Sequence, residues 1–325
     1  MNARIALPTR STIKLALALL TVYLVWGSTY LAIRVAVTGL PPFLLCGLRY
    51  LLASLVMGAI AALAGHSRPT GREWGIAGLV GFFMIGAGNG SVVWAEQFIP
   101  SGIVSLLTAT LPLWTFLLEG LGAGRVSSRR GLVGILAGFA GVGLLLWPQL
   151  ASGHHAALWA QALVMLGSLG WAAGMLLGRR LPSPASGLYR SAAQMGGSAL
   201  GFLVISGAMG EPARVVWSAV PSGVWLATAY LVVFGSCVGF TAFSWLAQHA
   251  RPSLTATYAY VNPLVAVVLG ALVLAEPITG WIGAGTLLIV TSVILVLQGG
   301  VAGKATRPED RIPRLFLAGG RAPRA

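Results

Sequence analysis

Apolar residues fill this chain in long unbroken runs. They do not alternate as in a half-buried strand, nor form the narrow stripe of a surface helix. A helix needs about 20 apolar residues to cross ~30 Å of hydrocarbon. Ten runs qualify: 13–37, 42–64, 74–96, 101–121, 130–148, 157–178, 186–208, 221–247, 253–274 and 279–299. The connections are short and hold turn and interface residues, as in Gly39-Leu40-Pro41-Pro42, Ile99-Pro100-Ser101-Gly102 and Arg251-Pro252-Ser253. The first run follows Arg4, Arg10 and Lys14, as a signal peptide would. It is longer than a signal h-region and nine more runs follow, so a retained helix is expected. The pattern predicts an all-α polytopic membrane protein with ten transmembrane helices.

Composition sharpens this picture. Hydrophobic residues make up 57% of the 325, and only 9% are charged, against about 25% in a soluble domain. So few charges could not keep a globule of this size in solution, which argues against a soluble enzyme. Outer-membrane barrels alternate apolar and polar residues in short segments, and this chain does not. Its 44 glycines suit close helix packing in lipid.

The net charge of +14 has a positional meaning. With a cytoplasmic N-terminus and alternating spans, all but three of the 21 Lys and Arg fall in cytoplasmic segments. The exceptions are Arg214 in an outer loop and Arg34 and Arg49 within spans. This asymmetry predicts that both termini are cytoplasmic, and it explains the basicity without nucleic acid. Residues 1–12 read as a cytoplasmic N-terminal segment. Residues 300–325, with six basic and two acidic side chains, read as a disordered basic tail, solvated or resting on anionic lipid. Cys46 and Cys237 lie inside apolar runs and read as packed small hydrophobes.

The chain also repeats itself. At a shift of 151, residues 86–146 overlie 237–297 without a gap. Gly88 falls on Gly239, Trp94 on Trp245, Gln97 on Gln248, Pro112 on Pro263 and Gly134 on Gly285. A weaker echo at 145 sets Trp26 on Trp171 and Arg34 on Arg179. The predicted units are therefore 13–148 and 157–299, with five spans each. An odd number of spans inverts the second unit. Inverted repeats are common in secondary transporters, with the binding site near the midplane between the halves.

Several motifs carry a family resemblance. They are Trp26-Gly27-Ser28-Thr29-Tyr30, Gly88-Asn89-Gly90 with Ala95-Glu96, Pro100-Ser101-Gly102, and Tyr258-Ala259-Tyr260-Val261-Asn262-Pro263. Together they resemble the drug/metabolite transporter superfamily, and within it the EamA-type ten-helix exporter, over about residues 15–298 in two EamA-like units. The resemblance implies export of metabolites, amino acids or drugs from bacterial cells across the inner membrane, without a tightly bound cofactor. Such units often carry an acidic residue just after their fourth span. The second half has Glu276 there and the first has Arg125, which puts a symmetric latch in doubt.

An ionisable side chain at the bilayer centre costs at least about 2.5–3.5 kcal/mol, so each one present needs a reason. Arg49 lies about 10 Å into the second span at 1.5 Å per residue. Arg34 lies in the outer part of the first span and Glu96 ends the third. As a cluster they would attract a substrate carboxylate or close an outer gate. Alternatively Arg49 pairs with Glu96 to fix packing, and Arg34 snorkels to the headgroups. Glu119, near the cytoplasmic end of the fourth span, reads as an interfacial carboxylate or a transport group. If protons are the coupling ion, Glu96 is the candidate carboxylate.

Trp26, Ser28, Tyr30, Asn89, Trp94, Thr108, Thr110, Trp171, Tyr258, Tyr260 and Asn262 form the candidate pathway, since aromatic faces and hydroxyls suit amphipathic solutes. Trp94 reads equally as an interface anchor, and the asparagines as interhelical hydrogen-bonding groups. Pro112 and Pro263 occupy matched mid-span positions, where proline bends a helix and frees a carbonyl. The cavity is expected beside them.

Gly134 and Gly138, in GxxxG spacing, suggest close packing inside the molecule, with a monomer or homodimer both open. His154-His155 has no ligand partner nearby in sequence. No phosphate loop encodes an ATP-driven engine, and no Ser/His/Asp signature stands out. An intramembrane lipid-modifying enzyme would need a His, Asp or Glu cluster at one face. No span contains Asp, which disfavours it. A nucleotide-sugar or lipid carrier on the same fold is the third reading.

Overall fold

The computed structural model describes residues 10–123, 129–151, 157–250, 255 and 257–299. Most of the N-terminal segment, Arg125, His154-His155, Arg251 and the 300–325 tail lie outside the described residues.

Ten helices are seen and no strand among the described residues. They are α1 (Arg10–Ala36), α2 (Pro42–Leu63), α3 (Gly71–Gly81, Phe82–Gly86 and Ala87–Ala95), α4 (Ser101–Thr108 and Leu111–Ala123) and α5 (Arg129–Ala151). The second half supplies α6 (Leu158–Gly178), α7 (Gly187–Ala208), α8 (Ser222–Tyr230, Leu231–Val238 and Gly239–His249), α9 (Tyr258–Leu274) and α10 (Gly280–Gly299). Seven are long and apolar enough to cross a membrane, and α9 and α10 add shorter apolar helices. The exposed surface carries rows of large apolar side chains, such as Leu17, Leu20 and Leu24 on α1. Water would not tolerate so much apolar surface, and lipid does. The protein is a polytopic membrane protein.

The helices pair across the halves in a pattern that survives exchanging one half for the other. α2 packs along α7 and α5 along α10, each helix against its own counterpart. α1 packs on α8 and α9, as α6 packs on α3 and α4. Side chains repeat the exchange. A Cβ on Gly239 would meet Trp26 Cδ1 at 2.8 Å, and one on Gly88 would meet Trp171 Cβ at 3.3 Å. Each half therefore lays its first-helix tryptophan on the matched glycine of the other. A π-helical stretch precedes that glycine in both halves, at Phe82–Gly86 and Leu231–Val238. Wide turns of this kind free backbone groups and often mark functional sites. Here the Gly235 carbonyl accepts from Trp26 Nε1 at 3.1 Å.

The two matched prolines behave differently. α4 is broken at Ala109–Thr110, and Pro112 is the second residue of the restarted helix. Pro112 has no N–H to offer the Thr108 carbonyl, and its ring favours a first-turn position. Pro263 stays inside α9. The expected continuous 101–121 span is thus two segments. The GxxxG face of α5 is filled from within the molecule: a Cβ on Gly134 would meet Val296 at 2.8 Å, and one on Gly138 would meet Ser292 Oγ at 2.7 Å, both on α10. Cys46 is buried and Cys237 half-buried, and both are free thiols.

Candidate functional site: a cavity between the halves

A cavity of about 100 Å³ lies where the halves meet. From the first half, α1 contributes Trp26, Thr29, Tyr30 and Ile33, and α2 contributes Arg49. α3 adds Gly88, Asn89 and Val92, and α4 adds Thr108 and Leu111 on either side of its break. From the second half come Ser168 and Trp171 on α6, Phe240 on α8, and Tyr258 and Asn262 on α9. The cavity spans about 10 Å of α1 between Trp26 and Ile33, at about 1.5 Å per residue.

Trp26 is boxed by aromatic rings. Phe240 lies 5.3 Å away edge-on, Phe243 at 5.1 Å tilted and Tyr258 at 5.3 Å edge-on. Ring pairs at this spacing attract one another by about 0.5–1.5 kcal/mol each. Arg49 on α2 also lines the cavity and is only 3% exposed. Its Nε donates to Ser236 Oγ on α8 at 3.0 Å, its guanidinium lies 4.8 Å from the Tyr50 ring centroid, and its buried Nη1 has no hydrogen-bond partner.

Of the expected pathway residues, the cavity brings together Trp26, Tyr30, Asn89, Thr108, Trp171, Tyr258 and Asn262, with Arg49. The others lie apart. Ser28 Oγ bonds Tyr230 at 2.6 Å. Trp94 stacks on Phe43 at 5.1 Å beside an outer groove. Thr110 is buried and donates to the Leu107 carbonyl at 2.6 Å. Tyr260, Pro112 and Pro263 do not line the cavity, although Leu111 and Asn262 beside the prolines do.

The charged residues divide similarly. Glu119 pairs with Arg179 at 3.0 Å on the exposed surface, the only ion pair among the described residues. Arg34 Nη1 donates to the backbone carbonyl of Glu96. Glu96 itself is 0% exposed, and neither carboxylate oxygen has a hydrogen-bond partner. The Arg49–Glu96 ion pair considered from the sequence is thus not made.

Sequence reasoning missed Ser236, Ser168 and Phe240, which are ordinary apolar-run residues until packing places them. It also missed the reach of Glu211 and Glu276. Glu276 accepts from the Ser101 and Gly102 N–H groups at 2.9 and 3.1 Å, and from Ser101 Oγ at 2.9 Å. Glu211 accepts from the Leu44 N–H at 2.7 Å and the Phe43 N–H at 3.4 Å. Their rarity was the available signal: the chain has only seven Asp and Glu. Among the described residues, no group of three or more His, Cys, Asp or Glu is placed to hold a metal ion.

Two inverted-looking halves around a shared cavity in a ten-helix membrane protein define a transporter architecture. The sequence agrees: residues 13–147 and 158–298 each match the EamA-like transporter family, and the chain belongs to that family. It is 36% identical to the uncharacterized inner membrane transporter YedA of Escherichia coli K12, over 87% of this chain and 90% of that protein. It is 26% identical to a probable amino-acid metabolite efflux pump of the same organism, over 87% of this chain and 94% of that one. A solved crystal structure shares the fold, with a TM-score of 0.61 at 19% identity, covering 88% of this chain and 98% of its own. The protein is a membrane transporter of the EamA-like family.

Proposed function

We propose that the protein is a secondary carrier that exports small organic solutes across the bacterial inner membrane by alternating access. One observation carries the reading: the cavity is walled by matched helices of both halves, α1 with α6 and α3 and α4 with α8 and α9. Rocking one half against the other would expose such a cavity to each side in turn. The bias of basic residues supports a cytoplasmic position for both termini. YedA's inner-membrane location and the efflux pump's direction support the corresponding assignments here. The cavity wall of rings, hydroxyls and amides suits amphipathic solutes.

Protons are the proposed coupling ion and Glu96 the proposed coupling group. It is a fully buried carboxylate without a hydrogen-bond partner, next to the arginine that holds its own backbone. Purified protein in liposomes, given a panel of organic solutes with and without a pH gradient, tests the carrier reading. Movement of at least one solute is expected. Glu96→Gln should abolish the acceleration by the gradient while leaving counterflow. Full gradient-driven transport by that variant would remove Glu96 from the coupling.

A further inference from the structure

Arg49 is an unusual buried cation. It is 3% exposed, lines the cavity, and makes no ion pair among the described residues. Ser236 takes its Nε and the Tyr50 ring lies beside its guanidinium, so the head is held in place from two helices. Yet Nη1 remains without a hydrogen-bond partner. Structural arginines buried in proteins are normally paired, because an uncompensated buried charge is costly. A guanidinium held on two sides, with an unused N–H and at the wall of a cavity, suits an anion that arrives from outside.

The rest of the wall describes the anion's other end. Trp26, Phe240, Tyr258 and Trp171 supply ring faces and edges, and Trp26 is fixed by its three ring neighbours. No Asp or Glu is among the lining residues, so an ammonium group would find no counter-charge on the wall. The wall itself offers one cation with an unused N–H, while Glu96, within electrostatic range of Arg49, is not part of the lining.

Resting on the carrier reading above, we infer that the cavity binds organic monocarboxylates with an aromatic or branched apolar body, the carboxylate on Arg49 and the body against the tryptophan box. The observation behind this is the partnerless Nη1 of Arg49, a residue that lines an aromatic cavity with no Asp or Glu in its wall.

Calorimetric titration of the full-length protein in nanodiscs tests it with three probes that share one phenylpropyl skeleton: 3-phenylpropanoate, its isostere 3-phenylpropanamide, and 3-phenylpropylamine. The carboxylate should bind about tenfold or more tightly than the amide, as expected for hydrogen bonds to a charged group, and the amine should bind least. Arg49→Gln should bring the acid-to-amide ratio close to one, and Arg49→Lys should restore part of it. Ser236→Ala, which frees the guanidinium's anchor, should reduce the ratio about threefold. Equal binding of acid and amide by the wild-type protein overturns the inference, and this measurement needs no variant. So does the absence of binding by all three probes, tighter binding of the amine, or an acid preference that survives Arg49→Gln. The liposome panel separates this inference from the reading beneath it. If other solutes move and carboxylates neither bind nor move, the carrier stands and the inference fails. If 3-phenylpropanoate binds through Arg49 and nothing is transported, the carrier reading fails instead.

Discussion

At one end of the bundle, two glutamates of the second half hold helices of the first. At the other end, the matching positions carry His66 and, in the sequence, Arg125. The device is the same in both closed joints. α7 ends on Gly210 in the left-handed conformation (φ 66°) and α9 on Ala275 (φ 54°). The next residue, Glu211 or Glu276, then turns back onto a helix start in the other half, that of α2 or of α4. A carboxylate there satisfies N–H groups that have no partner inside the helix and faces the positive end of the helix dipole. α2 ends the same way, with Gly65 at φ 72°, but His66 follows. It is exposed and lines an open groove of about 530 Å³ with Ser186 and Leu188. The backbone turn is thus repeated while the carboxylate is not. The repeat supplies geometry, and single residues decide which end is fastened. Under the proposed carrier reading, unequal fastening of the ends biases which side the cavity faces.

The comparison can be broken most directly at Glu276. Glu276→Ala removes the acceptor for three donors at the start of α4, the Ser101 and Gly102 N–H groups and the Ser101 hydroxyl. A loss of about 1.5–3 kcal/mol is expected, seen as a lower Tm in detergent. Opening of the joint can be read by a thiol at position 99, where Ile99 is 1% exposed. In a variant lacking Cys46 and Cys237, Ile99→Cys should react with a membrane-impermeant maleimide only once Glu276→Ala is added. An unchanged Tm and an Ile99→Cys thiol that stays unreactive would mean that the joint does not hold this end closed. Glu211→Ala should cost less, about 1–2 kcal/mol, because it carries fewer bonds, although it is only 2% exposed. Ala275→Gly should move the other way. Relief of a left-handed alanine adds about 0.5–1 kcal/mol, so Tm rises if the turn is kept. Glu119→Ala should leave Tm unchanged within error, since its pair with Arg179 is exposed and surface ion pairs contribute little. A Glu119 effect equal to that of Glu276 would erase the contrast between the ends.

The helices themselves were legible in the sequence because lipid demands length and apolarity, which are local properties. The repeat was legible through Gly88 with Gly239 and Trp26 with Trp171, and the structure then sets each tryptophan on the other half's glycine. The break in α4 was less visible, because Pro112 and Pro263 look alike in sequence. Whether such a position breaks or merely bends depends on what the neighbouring helices do with the freed groups. Within the candidate site, Trp26, Trp171, Asn89 and Asn262 were foreseeable by residue type. Ser28, Trp94 and Tyr260 resemble them in type, but they lie on the wrong helical face or too far along the axis to reach the cavity.

Sequence alone determined that this chain crosses a membrane in ten helices, that it is built twice, and that ionisable groups inside it are few. These follow from one-dimensional properties: run length, periodic identity and the cost of charge in hydrocarbon. Only the tertiary structure decided which of those charges meet one another. Arg49 could have paired with Glu96 or stood free, and Glu276 could have faced solvent or reached across to Ser101. Such choices turn on differences of about an ångström between side chains far apart in sequence. No composition or spacing encodes them, because they arise only when two halves of the chain close on each other.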